Sequence, residues 1–347
     1  MYSLMKIITI GINMNDMKKI GLTALAGSLV AISAQAAEMS VSGATLLTYT
    51  SADGTEVTGN PFGMKTNLSF TASGEVNGYN VSYMQTSADQ FAGMSSARLS
   101  VDMGDMGTLA FDQGSGSGLA TIDDKTPTAA EEIWDGLDVA TGANAQGLVG
   151  AAGNTGVFNY INTFGGVTFN GAMRKGSGSA NSDGASSAAG QGAWDFALTT
   201  DGSMLGVDGL AIGLGYGEAE NGSESASTYG DAEHMTAFAN YSIGPVTFGL
   251  QQSYIDSNKV GTSDQETTAW GLAFNVNENL SISYGERDVV FKGAGASADV
   301  TEKGDGIAVA YTMGSMKIAG NMNEVSDNDG TAGSNDSMTE IAVSFAF

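Results

Sequence analysis

Apolar side chains recur at every second position in sixteen separate stretches of this chain, a spacing that belongs to β-strands. The last stretch is the clearest. Ile341, Val343, Phe345 and Phe347 alternate with Ala342, Ser344 and Ala346. The same pattern runs through Val246, Phe248, Leu250, Gln252 and Tyr254, through Thr268, Trp270, Leu272, Phe274 and Val276, and through Met64, Thr66, Leu68 and Phe70. The stretches lie near 39–50, 63–73, 77–87, 95–103, 106–113, 156–163, 166–175 and 191–200. They continue near 207–218, 233–242, 245–256, 266–276, 279–290, 304–313, 315–325 and 337–347. Of these, 156–163 and 233–242 alternate poorly.

The connections alternate too. Short ones follow the even-numbered stretches, at Gly74-Glu75-Val76, Gly104-Asp105, Gly165, Gly244, Asn277-Glu278 and Gly314, with Asp201 to Gly206 the longest. Those after the odd ones are mostly long and rich in Gly, Ser, Asn and Asp, as at 176–190, 219–232, 291–303 and 326–336. An even number of antiparallel strands with short turns at one end and long loops at the other predicts an all-β fold, a transmembrane β-barrel. Pro61, Pro127 and Pro245 all fall in connections, where no ladder N–H is needed. The rival folds are a secreted β-sandwich and a β-solenoid. A sandwich would carry Lys and Glu on its solvated faces, whereas here the polar face is largely Ser, Thr, Asn, Ala and Gly. A solenoid needs a fixed repeat, and none is visible.

The leader fits export. Met17-Lys18-Lys19, an apolar run from Ile20 to Ile32 and Ala34-Gln35-Ala36 form a secretory signal peptide over 17–36, too short in its apolar part to anchor a membrane. Residues 1–16 then read as an extension ahead of the true start, and 37–347 as a single exported barrel domain.

Composition removes several functions. The 347 residues include 50 Gly, no Cys and one His, with a formal charge of −25. Without Cys there are no disulfides or thiolate metal sites. The lone His234 makes His-dependent catalysis improbable and reads as an exposed rim residue, so no enzymatic activity is expected. The acidic balance excludes nucleic acid as a partner.

With the signal ending Ala34-Gln35-Ala36, the strand series and the terminal Ser344-Phe345-Ala346-Phe347, the chain resembles a general bacterial porin of the sixteen-stranded, trimeric outer-membrane type. A last strand ending in Phe347 resembles the signal read by the barrel-insertion machinery. Arg98-Leu99-Ser100-Val101-Asp102-Met103-Gly104-Asp105-Met106-Gly107-Thr108-Leu109 resembles the strand–turn–strand ahead of the porin constriction loop. The resemblance implies a homotrimer in the lipid bilayer and a loop folded into the barrel to narrow it.

A sixteen-stranded barrel has a backbone radius of roughly 15 Å, too wide for side chains to fill. The candidate for the inward loop is 114–155, the longest connection. It carries Asp123, Asp124, Glu131, Glu132, Asp135 and Asp138 with Lys125 as its sole base, and 128–134 has the composition of a short helix whose Ile133 and Trp134 would pack on the wall. The alternative for so acidic a loop is simple solvation outside the barrel. By strand parity Lys65, Arg98, Arg174, Arg287 and Lys317 fall on polar faces, as they should if a lipid-facing charge costs about 2–4 kcal/mol. Lys65, Arg98 and Lys317 become neighbours across the barrel closure and form a basic wall for the acidic loop to face. Removing Asp16, Lys6, Lys18 and Lys19 with the leader leaves 37 acids and 10 bases, so the expected pore prefers cations weakly.

Other motifs carry less. Asp327 and Asp329, with Asp336 beyond them, offer hard oxygen ligands for a loosely bound divalent cation such as calcium, but the distal Glu of a calcium loop is missing. No other cofactor is expected. Gly114-Ser115-Gly116-Ser117-Gly118 lacks the lysine of a phosphate loop and reads as the flexible start of the inward loop. Tyr254, Trp270, Tyr284 and Tyr311 read as membrane-interface girdle residues. Two other functional classes remain: a plugged structural or adhesive barrel, and a lipid-modifying barrel enzyme.

Overall fold

The computed structural model describes residues 38–53, 59–87, 94–137, 146–153, 155–176, 192–221, 230–293 and 297–347. The expected extension and signal peptide lie outside the described residues, as does Asp138. Sixteen strands follow in order: β1 (Glu38–Asp53), β2 (Phe62–Val76), β3 (Tyr79–Ser87), β4 (Met94–Asp102), β5 (Thr108–Gln113), β6 (Thr155–Phe164), β7 (Val167–Arg174) and β8 (Ala193–Asp201). The second half holds β9 (Leu210–Ala219), β10 (Ala232–Ile243), β11 (Val246–Asp256), β12 (Gln265–Asn275), β13 (Leu280–Phe291), β14 (Val300–Met313), β15 (Met316–Ser326) and β16 (Asp336–Ala346). Each pairs antiparallel with its neighbours in sequence, and β1 pairs with β16 to close the barrel. Every expected strand is present, including the poorly alternating β6 and β10. No described helix is long and apolar enough to cross a membrane, which says nothing of a barrel.

The two faces are sorted inside out relative to a water-soluble protein. Leu47, Phe248, Ile307, Met322 and Ile341 are all exposed on the outside, Leu47 at 53%. The inside is tied by hydroxyl and amide contacts such as Ser69–Thr86 (2.9 Å) and Thr236–Ser253 (2.8 Å). An exposed apolar belt around a polar interior is stable only where the outer solvent is hydrocarbon. At the edge of that belt, Trp270 and Tyr284 meet edge to face at 5.6 Å. Both donate outward to the Glu286 carboxylate, at 3.2 and 2.8 Å, as girdle side chains with one dry and one wet end do. The terminal residue closes the seam. Phe347 exchanges two backbone hydrogen bonds with Gly43 (2.9 and 3.0 Å) and is itself 68% exposed.

Two boundaries differ from expectation for definite reasons. The β2–β3 turn falls at Asn77-Gly78, not at Gly74-Glu75-Val76, because both residues adopt positive φ (52° and 86°), the type I′ geometry that Asn-Gly favours. β14 begins at Val300 rather than 304, and the added rungs turn Glu302 inward to meet Arg287.

Candidate pore constriction

The connection after β5 folds into the barrel and runs along the inner wall. Its root is tied down by Arg98 on β4, which donates to Ser115 Oγ (3.4 Å), the Gly116 carbonyl (3.1 Å) and Ser117 Oγ (3.4 Å), and also to Asn159 Oδ1. Asp112, fully buried, lies 3.6 Å from the guanidinium and accepts from the Ser115 N–H (3.0 Å) and Ser117 hydroxyl (2.7 Å). The glycine-serine run expected to be flexible is therefore pinned by the buried Asp112 and the half-buried Arg98.

Beyond it, the Leu119 N–H bonds to Asp195 on β8 (3.0 Å). Leu119 and Ile122 join Val149 of the returning limb in a small apolar core against Ala197 and Phe238. Gln251 on β11 then clamps three backbone groups, accepting from the Lys125 N–H (2.6 Å) and donating to the carbonyls of Ile122 (2.8 Å) and Asp123 (2.9 Å). The Ala129 N–H reaches Ser283 Oγ on β13 (2.8 Å), and Leu137 ends the described outbound limb between Val325 and Met338. On the way back the Gly150 N–H bonds His234 Nδ1 (3.4 Å) and the Ala152 N–H bonds Asp195 (2.7 Å). His234 is thus a lumenal anchor rather than an exposed rim residue, because parity with the outward Met235 turns it inside.

The expected helix over 128–134 does not form. Its backbone groups bond the wall and one another: Ala129 with Ser283, Thr128 Oγ1 with the Glu131 carbonyl (2.7 Å), and Asn323 Nδ2 with the carbonyls of Glu132 (3.1 Å) and Asp135 (2.9 Å). Two tight turns remain, the Asp135 N–H meeting the Glu132 carbonyl at 3.1 Å and the Leu137 N–H meeting the Trp134 carbonyl at 3.3 Å.

Burial against the wall raises the loop carboxyls. Asp124 is pushed up to about 7 by desolvation first and by Glu132 and Asp123 next, and Asp123 to about 6 by desolvation, against Lys125. Glu131 and Asp135 are raised for the same first reason. Lys317 pulls Glu131 back and Lys65 pulls Asp135 back. Those two lysines share one rung of the wall: Lys65 pairs with Leu46, Leu46 with Ser344, and Ser344 with Lys317. Three strand spacings separate them, roughly 14 Å.

The structure thus brings Asp123, Asp124, Glu131, Glu132 and Asp135 onto one inner loop, and Lys65 and Lys317 onto the wall within electrostatic reach of Asp135 and Glu131. The arginines sit elsewhere. Arg98 holds the loop root, and Arg174 donates to the Gly176 carbonyl at the end of β7 (3.0 Å). Arg287 is 3% exposed beneath Trp134 and bridges to Glu302 (3.6 Å). Parity placed the three inside, but the loop covers Arg287, so they are not one continuous wall with the lysines. Sequence reasoning missed the inward strand acids Asp112, Glu302 and Glu340, the last accepting from Thr50 Oγ1 (3.0 Å) on the same wall as Lys65. Strand parity places Asp112 and Glu340 inside, whereas Glu302 lies ahead of the expected strand start at 304 and gave no such signal.

Asp327, Asp329 and Asp336 do not converge. Asp327 accepts from the Gly333 N–H (2.6 Å), the Asp329 N–H bonds Glu302 (2.8 Å), and Asp336 accepts from the Ser337 N–H (2.8 Å). Among the described residues no group of three His, Cys, Asp or Glu is gathered to hold a metal.

A closed sixteen-stranded barrel with an apolar belt, a polar inner face and an acidic inner loop defines an integral channel of the bacterial outer membrane. The sequence model for Gram-negative porins matches residues 21–314, and the chain belongs to that family. No curated protein matches it in sequence. Among solved structures it is similar to OmpT of Vibrio cholerae in a trimer form, at 13% identity and TM-score 0.63 over 90% of this chain and 100% of that one. It is also similar to OmpF of Salmonella typhi in complex with daunomycin (14%, 0.58, 90% and 98%) and to a mutant porin of Rh. blastica (12%, 0.57, 89% and 100%). At these identities the likeness speaks for the fold.

Proposed function

We propose that the chain is a general diffusion porin, passing small hydrophilic solutes and ions without chemistry and with a weak preference for cations. The observation that carries this is the opposition of the acidic loop, Asp123 to Asp135, and the Lys65–Lys317 rung that acts on Asp135 and Glu131. Opposed charges across a narrow aqueous passage make a transverse field that orients dipolar solutes, and the excess of carboxylates concentrates cations. Glu340 supports the sign, because it places an acid on the basic wall itself. A homotrimer in the bilayer is part of the proposal, supported by the trimer form of the similar Vibrio cholerae protein. So are insertion through the last strand ending at Phe347 and, at most, loose binding of a divalent cation such as calcium at the acidic mouth.

The test is reversal potential across a planar bilayer holding the refolded chain under a salt gradient. Discrete conductance steps with cation-selective sign support the proposal. Anion selectivity would remove the charge argument and leave the lysine rung dominant. A folded barrel that does not conduct would favour a plugged or adhesive role.

A further inference from the structure

Beneath the loop, one rung of the wall reads Asn240, Gly249, Gly271, Gly285, Gly306 and Asn323, each residue directly opposite the next on the consecutive strands β10 to β15. The asparagines at its ends donate to loop carbonyls: Asn240 Nδ2 to Lys125 (2.6 Å), Asn323 Nδ2 to Glu132 and Asp135. Between them the loop rests on bare backbone. A Cβ on Gly271 would stand 2.7 Å from the Pro127 carbonyl oxygen, and one on Gly249 2.3 Å from Pro127 Cδ. Ile133 covers the other two glycines, 3.2 Å from a Cβ on Gly285 and 3.1 Å from one on Gly306. Four glycines in one rung work against strand formation, and glycine inside a strand often marks the close approach of another backbone.

We infer that this rung is the seat that fixes how far the loop stands off the wall, and therefore how wide the pore is. The inference rests on the reading of this loop as the constriction. The four glycines and two asparagines are positioning residues. They touch no solute, yet they set the size limit, while the charges of the loop set the ion preference. Carbon atoms pack at about 3.5–4.0 Å, so a side chain on Gly271 has to push Pro127 toward the lumen, and one on Gly285, whose Cβ also stands 3.0 Å from the Trp270 carbonyl oxygen of the wall, presses on Ile133.

The experiment uses the refolded chain with Gly271→Val, Gly285→Val, Gly285→Val combined with Ile133→Ala, and Asn323→Ala. Gly320→Ala on β15 is the control, since its added carbon meets nothing closer than 3.5 Å. Liposome swelling in sugars of increasing size reads the limit, and bilayer recording reads conductance and ion preference. The two valine variants should shift the largest admitted sugar downward and lower the conductance while keeping the sign of ion selectivity. Ile133→Ala should restore both in the Gly285→Val background. Asn323→Ala, which adds no bulk, should shift the limit upward. Folded valine variants with the original limit, or a Gly285→Val variant that Ile133→Ala does not restore, overturn the seat. Deleting residues 119–145 separates the two ideas. If conductance does not rise on deletion, the constriction reading fails and the seat falls with it. If it rises and the valine variants are unchanged, the seat alone is wrong.

Discussion

The guanidinium carbon of Arg287 lies 4.9 Å from the centre of the Trp134 ring, and Nη1 of the same group bridges at 3.6 Å to Glu302. Glu302 also accepts the Asp329 N–H, so a continuous chain of contacts joins the inner loop, the barrel wall and the loop between β15 and β16. The guanidinium Nε and Nη2 find no hydrogen-bond partner, which leaves the ion pair and the aromatic face as its stabilising contacts.

Removing one partner of that pair should therefore cost more than removing both. Arg287→Met leaves Glu302, only 2% exposed, as an uncompensated buried acid, an effect of about 3–5 kcal/mol. Arg287→Met with Glu302→Leu should recover most of it. Trp134→Ala should leave the barrel intact but free the loop, losing about 1–2 kcal/mol from the cation–π contact. Thermal unfolding in detergent ranks the first two, and the frequency of brief closures in single-channel records reports the third.

The raised carboxyls predict a pH dependence with a definite sign. Asp123 at about 6 and Asp124 at about 7 both stand above their ordinary 3.8, so the seated loop holds protons that a released loop would lose. Raising the pH through that interval weakens the seat and also adds negative charge to the lumen. Cation preference should grow from about pH 5 to about pH 8 and then level. Asp124→Asn should flatten the upper part of the rise, read by reversal potential at each pH. A preference that does not change with pH would show that these two groups lie outside the conducting path.

The barrel was legible because period-two alternation is a property of each strand by itself, readable without knowing its neighbours. The loop was legible in length and charge but not in course. Its course is fixed by pairs such as Lys125 with Gln251 and Ala129 with Ser283, which lie 126 and 154 residues apart in the chain. The glycines beneath it left no local signal, since a glycine in a strand looks the same whether it faces water or another backbone. His234 and Glu340 were legible in principle: their outward neighbours Met235 and Ile341 fix them on the inner face. The helix over 128–134 was wrongly expected because propensity counts only local terms, and here side chains of the wall took up its backbone groups.

The root of the loop makes a separate prediction. Asp112 is 0% exposed and serves Arg98, Ser115 and Ser117 together. Asp112→Ala removes the acceptor of the Ser115 N–H and Ser117 hydroxyl and the counter-charge of the half-buried Arg98, so the first turn of the loop should loosen at a cost of about 1–3 kcal/mol. Protease nicking near residues 114–118 in the folded barrel checks this, because the wild-type run is tied on both sides. An unchanged digestion pattern would mean that Arg98 alone holds the root.

The last prediction concerns the lysine rung. Lys65 and Lys317 oppose Asp135 and Glu131, the loop carboxyls nearest the closing strands, and each lysine lowers the negative potential the passage would otherwise have. Replacing both with alanine should strengthen the cation preference, and replacing both with glutamate should strengthen it further while slowing anionic solutes. The effect should shrink at high salt, where charges more than about 3 Å apart are screened in 1 M electrolyte. Arg287→Met provides the contrast. Its charge is buried behind Trp134, so it should shift selectivity less than either lysine change even where it destabilises the fold more. A larger selectivity shift from Arg287 than from the lysine pair would place the ion path behind the loop instead of in front of it.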